Sequence, residues 1–308
     1  MILCCGEALI DMIPERTANG AEGFVPHSGG AVFNTAIALG RLGTRTGMLT
    51  GLSDDMFGAQ LRGALGAAGV DTSRVVESSR PTTLAFVHLQ NGHASYVFYD
   101  ENSAGRMLAA EDLPAIPAEV TALYFGGISL ACEPGADAYA ALLDREGASR
   151  AVMIDPNIRP GFIKDEARYR GRIDRMIAAA DMVKVSDEDL NWIIKGSAPL
   201  DEKARALLAS GPSLLVLTRG KEGATAYLAA GGSVHVMAKQ VEVVDTVGAG
   251  DTYNAGVLAV LQREGVLTKD GLKGLSPDVA QRALEFGARV AAVTVSRAGA
   301  NPPWAHEL

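Results

Sequence analysis

A glycine-rich turn running into an apolar helix, with a carboxylate in the first helical turn, can hold a phosphoryl group and deprotonate an attacking hydroxyl. Residues 243–256, Val-Val-Asp-Thr-Val-Gly-Ala-Gly-Asp-Thr-Tyr-Asn-Ala-Gly, have that form. A β-prone run ends at Asp245, and Gly248, Ala249 and Gly250 open a helix carrying Ala255, Val257, Leu258 and Val260. Unpaired N–H groups at a helix start, together with the helix dipole, bind anions. Glycines there let the backbone approach a ligand without a Cβ in the way. Asp251 stands beside those amides, where it can take a proton while they hold the phosphoryl group. No Gly-Lys-Ser/Thr follows, so this is not a Walker A loop, and no third glycine completes a dinucleotide fingerprint. A lone Gly-x-Gly-Asp is more simply read as a turn whose Asp stabilises the helix N-terminus, so the rest of the chain decides its meaning.

Short apolar strands alternate with helical segments. Strands are expected at Ile2–Cys5, Thr46–Leu49, 122–125, 151–154, 182–185 and 213–217. Helices are expected at 31–42 and 56–68, and a last one carries Val279, Ala283, Phe286, Val290 and Val293 at gaps of three and four. This alternation implies a mainly parallel sheet covered on both faces. Two segments interrupt it. Residues 12–28 are polar and glycine-bearing. Residues 83–89 and 94–99 are β-prone runs separated by Asn91-Gly92, the pair that a tight hairpin turn requires. The interruption predicts a small sheet projecting from the main domain, placed to exclude water as a lid.

The bulk properties narrow the function. The 308 residues are 48% hydrophobic and 21% charged, enough for one large core over 1–308. A formal net charge of −8 argues against a nucleic-acid partner. No apolar run is long enough to span a bilayer. Adjacent Cys4 and Cys5, with Cys132 far away, form neither a disulfide framework nor a metal-ligand pattern. A start without a basic leader points to a cytoplasmic protein.

Asp245-Thr-Val-Gly-Ala-Gly-Asp-Thr252 resembles the C-terminal signature of the ribokinase-like (PfkB) carbohydrate kinases. The N-terminal signature is matched by Ser28-Gly-Gly-Ala-Val-Phe-Asn34, followed by Ala36, Leu39, Gly40, Leu42 and Gly43. The resemblance covers essentially the whole chain. It implies a three-layer α/β/α ribokinase-like fold with a small β-sheet lid, formed here by about 12–28 and 82–104. It also implies Asp251 as catalytic base and the amides of Gly248, Ala249 and Gly250 as anion hole. The sugar site falls on Asp11, Gly29, Gly30 and Asn34, with Arg159 near the sugar; strand alternation sends Phe98 and Tyr99 to opposite faces, and Phe98 is expected to face inward from the lid. Carboxylate and amide side chains suit a polyol, since each bonds adjacent hydroxyls. Thr218, Gly220 and Gly223 fall on the family's ATP loop. Ser186 and Asp189 stand where the family has Asn and Glu associated with Mg²⁺ and phosphate. The shorter Asp favours a water-mediated role, because Mg²⁺ keeps its waters readily. No residue is expected to bind metal directly. The resemblance further implies a monovalent cation such as K⁺ near the glycine loop. An exposed two-stranded ribbon with an apolar face benefits from cover, so a homodimer through the lid is expected.

Asp155-Pro-Asn-Ile-Arg159 and Gly126-Gly-Ile-Ser-Leu130 are fructokinase-like, the first also being similar to ketodeoxygluconate kinases. Asp100 and Glu101 stand where a carboxylate-binding kinase has a basic residue, so a neutral ketohexose is expected. The alternatives are the same chemistry on 2-keto-3-deoxygluconate, ribose or a nucleoside, or a catalytically silent sugar-binding protein on the same fold.

Overall fold

The computed structural model describes residues 1–90 and 93–308, without the side chains of 88–96. The expected turn at Asn91-Gly92 lies outside the described residues. Strands β1 (Ile2–Cys5), β2 (Leu9–Arg16), β3 (Glu22–Gly29), β4 (Thr46–Leu49), β5 (Gly51–Ser53), β6 (Val76–Ser78) and β7 (Leu84–Gln90) come first. They are followed by β8 (His93–Tyr99), β9 (Ala122–Gly126), β10 (Ala151–Asp155), β11 (Met182–Ser186), β12 (Leu214–Thr218), β13 (Ala224–Leu228) and β14 (Ser233–Val236). The helices are α1 (Ala31–Arg41), α2 (Met56–Ala67), α3 (Gly135–Glu146), α4 (Glu166–Ala179), α5 (Asp187–Ile193), α6 (Leu200–Leu208), α7 (Ala249–Arg263), α8 (Lys269–Lys273) and α9 (Pro277–Val295).

The main sheet runs β14-β13-β12-β11-β10-β9-β1-β4. It is parallel from β4 to β12, and β13 and β14 join antiparallel at one edge. Alternate residues of each buried strand enter opposite layers. Ile2 and Cys4, with Tyr124, Met153, Met182 and Val216, pack on the side of α1, α7 and α9. Leu3 and Cys5, with Phe125, Ile154, Val185 and Leu217, pack on the side of α3 and α4. This is the expected three-layer α/β/α arrangement. Gly40 of α1 lies so close to Ala68 at the end of α2 that a Cβ there would overlap the Ala68 carbonyl.

The small sheet is separate, with order β3-β2-β7-β8. The polar segment 12–28 lies in the β2/β3 hairpin, whose pairing runs from Leu9–Gly29 to Arg16–Glu22. Its register with β7, and that of β7 with β8, bring Asp11, Ala85 and Phe98 together on one face. Phe24 and Phe86 (centroids 5.0 Å apart) and Phe86 and Tyr99 (5.5 Å) form an aromatic row involving the opposite face.

Candidate active site

A cavity of about 1190 Å³ is lined from the main sheet by Lys184 and the start of α7, and from the small sheet by Asp11 and Phe98. In α/β folds ligands bind at the carboxyl ends of the parallel strands, and the start of α7 faces that end.

The glycine turn is held from below. Asp245 accepts from the amides of Val247 (3.0 Å) and Gly299 (2.9 Å). Gly248 then adopts φ 76°, a left-handed conformation that favours glycine, and caps α7. The Ala249 N–H donates to Thr246 O at 3.3 Å, whereas those of Gly248, Gly250 and Asp251 have no acceptor among the described residues. Of the three amides expected to form an anion hole, those of Gly248 and Gly250 are thus free of acceptors among the described residues, that of Ala249 is not, and that of Asp251 is free as well.

Asp251 is buried. Its Oδ2 accepts from Asn34 Nδ2 at 2.9 Å, and its backbone carbonyl accepts from Thr35 Oγ1 at 3.0 Å. Two consecutive residues of α1 therefore fix both ends of Asp251. Burial pushes its carboxyl up to about 7; the Asn34 hydrogen bond opposes this, Asp155 adds to it, and Lys184 opposes it. A base must be ionised to act, so kcat is expected to fall tenfold per pH unit below about 7. A one-proton acid limb in log kcat against pH checks this, and a flat profile between pH 6 and 8 contradicts it.

Among the residues expected to meet the sugar, Asp11 lines the cavity from β2, and burial pushes its carboxyl up to about 6. Gly29 does not line the cavity; a Cβ there would overlap the Asp11 carboxylate, so the glycine makes room for that side chain. Gly30 does line it, at φ 107° and 3.0 Å (from an ideal Cβ) to the Glu7 carbonyl. Glu7 itself accepts from the Ala31 amide (3.0 Å) and the Ser129 amide (3.2 Å), tying the start of α1 to the turn that follows β9. Phe98 faces the cavity and packs edge-on against Phe162, centroids 4.4 Å apart. Arg159 also lines it, with Nη1 donating to Ile158 O at 3.1 Å.

The pair expected to make the lid acidic is altered by a residue the sequence reading passed over. Arg106 Nη1 reaches both oxygens of Asp100 at 2.9 Å. Asp100 therefore carries its own counter-ion, and Glu101 alone is left to disfavour an anionic acceptor.

The residues expected on the nucleotide side do not line this cavity. Thr218, Gly220 and Gly223 form the tight connection from β12 to β13, closed by Arg219 N–H to Gly223 O at 2.8 Å. Ser186 caps α5: its Oγ accepts from the Asp189 amide (3.0 Å), and Asp189 accepts from the Ser186 amide (3.3 Å). The other Asp189 oxygen accepts from the Ile158 amide at 2.9 Å. Each Asp189 oxygen thus accepts one backbone amide. Among the described residues no cluster of three or more acidic, His or Cys side chains could hold a metal.

Comparison with known proteins decides the family. The model for the pfkB family of carbohydrate kinases matches residues 1–307. The chain belongs to that family and is a carbohydrate kinase. It is 53% identical over 270 residues to a fructokinase of Rhizobium leguminosarum bv. trifolii, covering 87% of this chain and 82% of the relative. A Klebsiella pneumoniae fructokinase is 34% identical over 278 residues, covering 89% of this chain and 88% of the relative. Among solved structures, the Xylella fastidiosa fructokinase with bound ATP superposes with a TM-score of 0.88 at 29% identity, over 97% of this chain and 93% of that one. Among the described residues of this kinase, no helix is long and apolar enough to cross a membrane.

Proposed function

We propose that this kinase transfers the γ-phosphoryl group of ATP to the 6-hydroxyl of D-fructose, with Asp251 as general base. The observation that carries the reading is the buried Asp251 carboxylate at the mouth of the unpaired Gly248, Gly250 and Asp251 amides. The sugar oxygen attacks phosphorus in line with the departing ADP, Asp251 receives its proton, and the amides meet the charge on the phosphoryl oxygens. Magnesium enters as part of the MgATP substrate. Fructokinase names on relatives at 53% and 34% identity support fructose as the acceptor. Asp11 and Asn34 both line the cavity, and a carboxylate and an amide suit the hydroxyls of a ketohexose. A K⁺ ion beside the turn and ATP contacts from Thr218, Gly220, Gly223, Ser186 and Asp189 belong to the same reading. ADP release with fructose, absent without it, tests the acceptor.

Two further outcomes follow. Protonated Asp11 accepts fewer hydroxyl hydrogens, so the KM for fructose is expected to rise as pH falls through about 6, and Asp11→Ala to raise KM at least tenfold. An unchanged KM in that variant removes Asp11 from the sugar site. The exposed row Phe24 (48%), Val97 (52%) and Tyr99 (63%) on the small sheet is an apolar face that a second copy of this chain would cover, giving a homodimer through the lid. Sedimentation is expected to show a dimer at micromolar concentration and a monomer for Phe24→Glu; a monomeric wild type contradicts it.

A further inference from the structure

Lys184 occupies a position where the strand pattern calls for an apolar side chain. In β11, Val183 and Val185 enter one core layer, while Met182 and Lys184 point to the other, toward α7. Its side chain is 7% exposed, and the position opposite it on β12 is the buried Val216. An ammonium is costly to bury and is retained only where it is paired. Its partner is Asp155, whose Oδ2 lies 3.0 Å away and also accepts from Asn254 Nδ2 at 2.7 Å. Asn254 lies one helical turn beyond Asp251, so the same helix that carries the base anchors the partner of the lysine.

This pairing uses one of three donors. Among the described residues Lys184 Nζ has no other hydrogen-bond acceptor, and it lines the cavity with Gly248, Ala249, Gly250 and Asp251. An ideal Cβ on Gly250 would come within 3.3 Å of Nζ, so the ammonium lies against the backbone of the anion hole. We propose that Lys184 is a catalytic residue whose ammonium contacts the phosphoryl group during transfer, adding a full charge to the amides of the turn. Amides and a cation converging on one point are what the spread charge of that transition state requires. The sugar oxygen gains its bond to phosphorus, the bond to the bridging oxygen of ADP breaks with its electron pair, and the proton goes to Asp251. Lys184 keeps its proton throughout. This inference rests on the reading of Asp251 and the turn as the transfer site.

A purely structural ion pair would explain the burial equally, and substitution separates the two. Lys184→Met is expected to lower kcat by at least a hundredfold with the KM for fructose within threefold, and Lys184→Arg to restore part of the loss. The single change strands Asp155 in the interior, so the double variant D155N/K184M, which removes both charges, is measured beside it. The proposal predicts that the double variant regains the melting temperature and stays at least a hundredfold slow. A folded double variant, or a folded Lys184→Met, with kcat within threefold of wild type overturns it.

A second readout is the acid limb of log kcat. The charged groups acting most on Asp251 and Lys184 are Asp155 on β10, Asp189 on α5 and Glu7 after β1, with Asn34 and Tyr124 as neutral neighbours; Asp11, Asp100, Glu101, Arg106, Arg159 and Lys164 line the same cavity. Losing Lys184 removes the cation that holds the Asp251 carboxyl down, so the limb is expected to move to higher pH. A limb that stays in place in a folded, slow Lys184→Met contradicts a charge acting at the site. Asp251→Asn run in parallel keeps the two readings apart: if it retains activity, the base assignment fails whatever Lys184 does.

Discussion

Asp251→Asn is expected to lower kcat by roughly a thousandfold, within the range that a positioned general base contributes, while leaving the fold intact. The amide fills the same space and keeps one oxygen toward Asn34 Nδ2, so the α1–α7 contact survives. What it loses is the ability to take the proton. The variant is also expected to melt at a higher temperature than wild type at pH 8. The folded-state pKa of Asp251 is raised from 3.8 to about 7, chiefly by burial. The folded chain therefore holds that proton more tightly than the unfolded chain does. The stability this contributes is full below about 3.8 and is lost as pH rises through about 7. Asparagine is neutral throughout and escapes the loss. A variant both slower and more stable at pH 8 identifies a site where ionisation serves chemistry at the expense of folding. A slow variant that is also less stable at pH 8 would point to a structural role.

Gly248→Val is expected to reduce kcat by a hundredfold or more, with fructose affinity little changed. Two costs coincide at this position. A β-branched residue at φ 76° is strained by roughly 1–2 kcal/mol, and its Cβ would lie 2.6 Å from the Ala300 Cβ. The turn must shift to relieve both. The amides at 248 and 250 then leave the phosphoryl position, and losing one such donor typically costs 10²–10³ in kcat. Asp11, on a different sheet, is untouched, so fructose binding measured by calorimetry is expected to remain within a few-fold. A variant with normal kcat would show that these amides do not meet the transferring group.

The main sheet was legible because its strands are short, apolar and separated by helical periodicity. The β7/β8 hairpin was legible from its β-prone runs. β2 and β3 were not legible from pattern, because Asp11, Glu15 and Arg16 break the apolar signal, and only the family resemblance placed 12–28 in the small sheet. β13 and β14 at the sheet edge were also missed; Ser233–Val236 has only four residues and two exposed positions. Asp251, Asn34 and the glycine turn converge from 217 residues apart in sequence, a contact that only the paired signatures anticipated. Glu7, Arg106 and Lys184 escaped because single charges carry no spacing. The available signal was Lys184 itself, a lysine inside Met-Val-Lys-Val, where the alternation of a buried strand leaves no exit to solvent.

Transfer to fructose with Asp251 as base is tested by steady-state ADP release with MgATP at pH 8. The assay is run with D-fructose, 2-keto-3-deoxygluconate, D-ribose and adenosine, for wild type and Asp251→Asn together. Turnover with fructose is expected at a kcat/KM well above the other three, with a product phosphorylated at the 6-hydroxyl and near-complete loss in the variant. Faster turnover on another acceptor would contradict fructose as the substrate, and full activity in the variant would contradict Asp251 as the base.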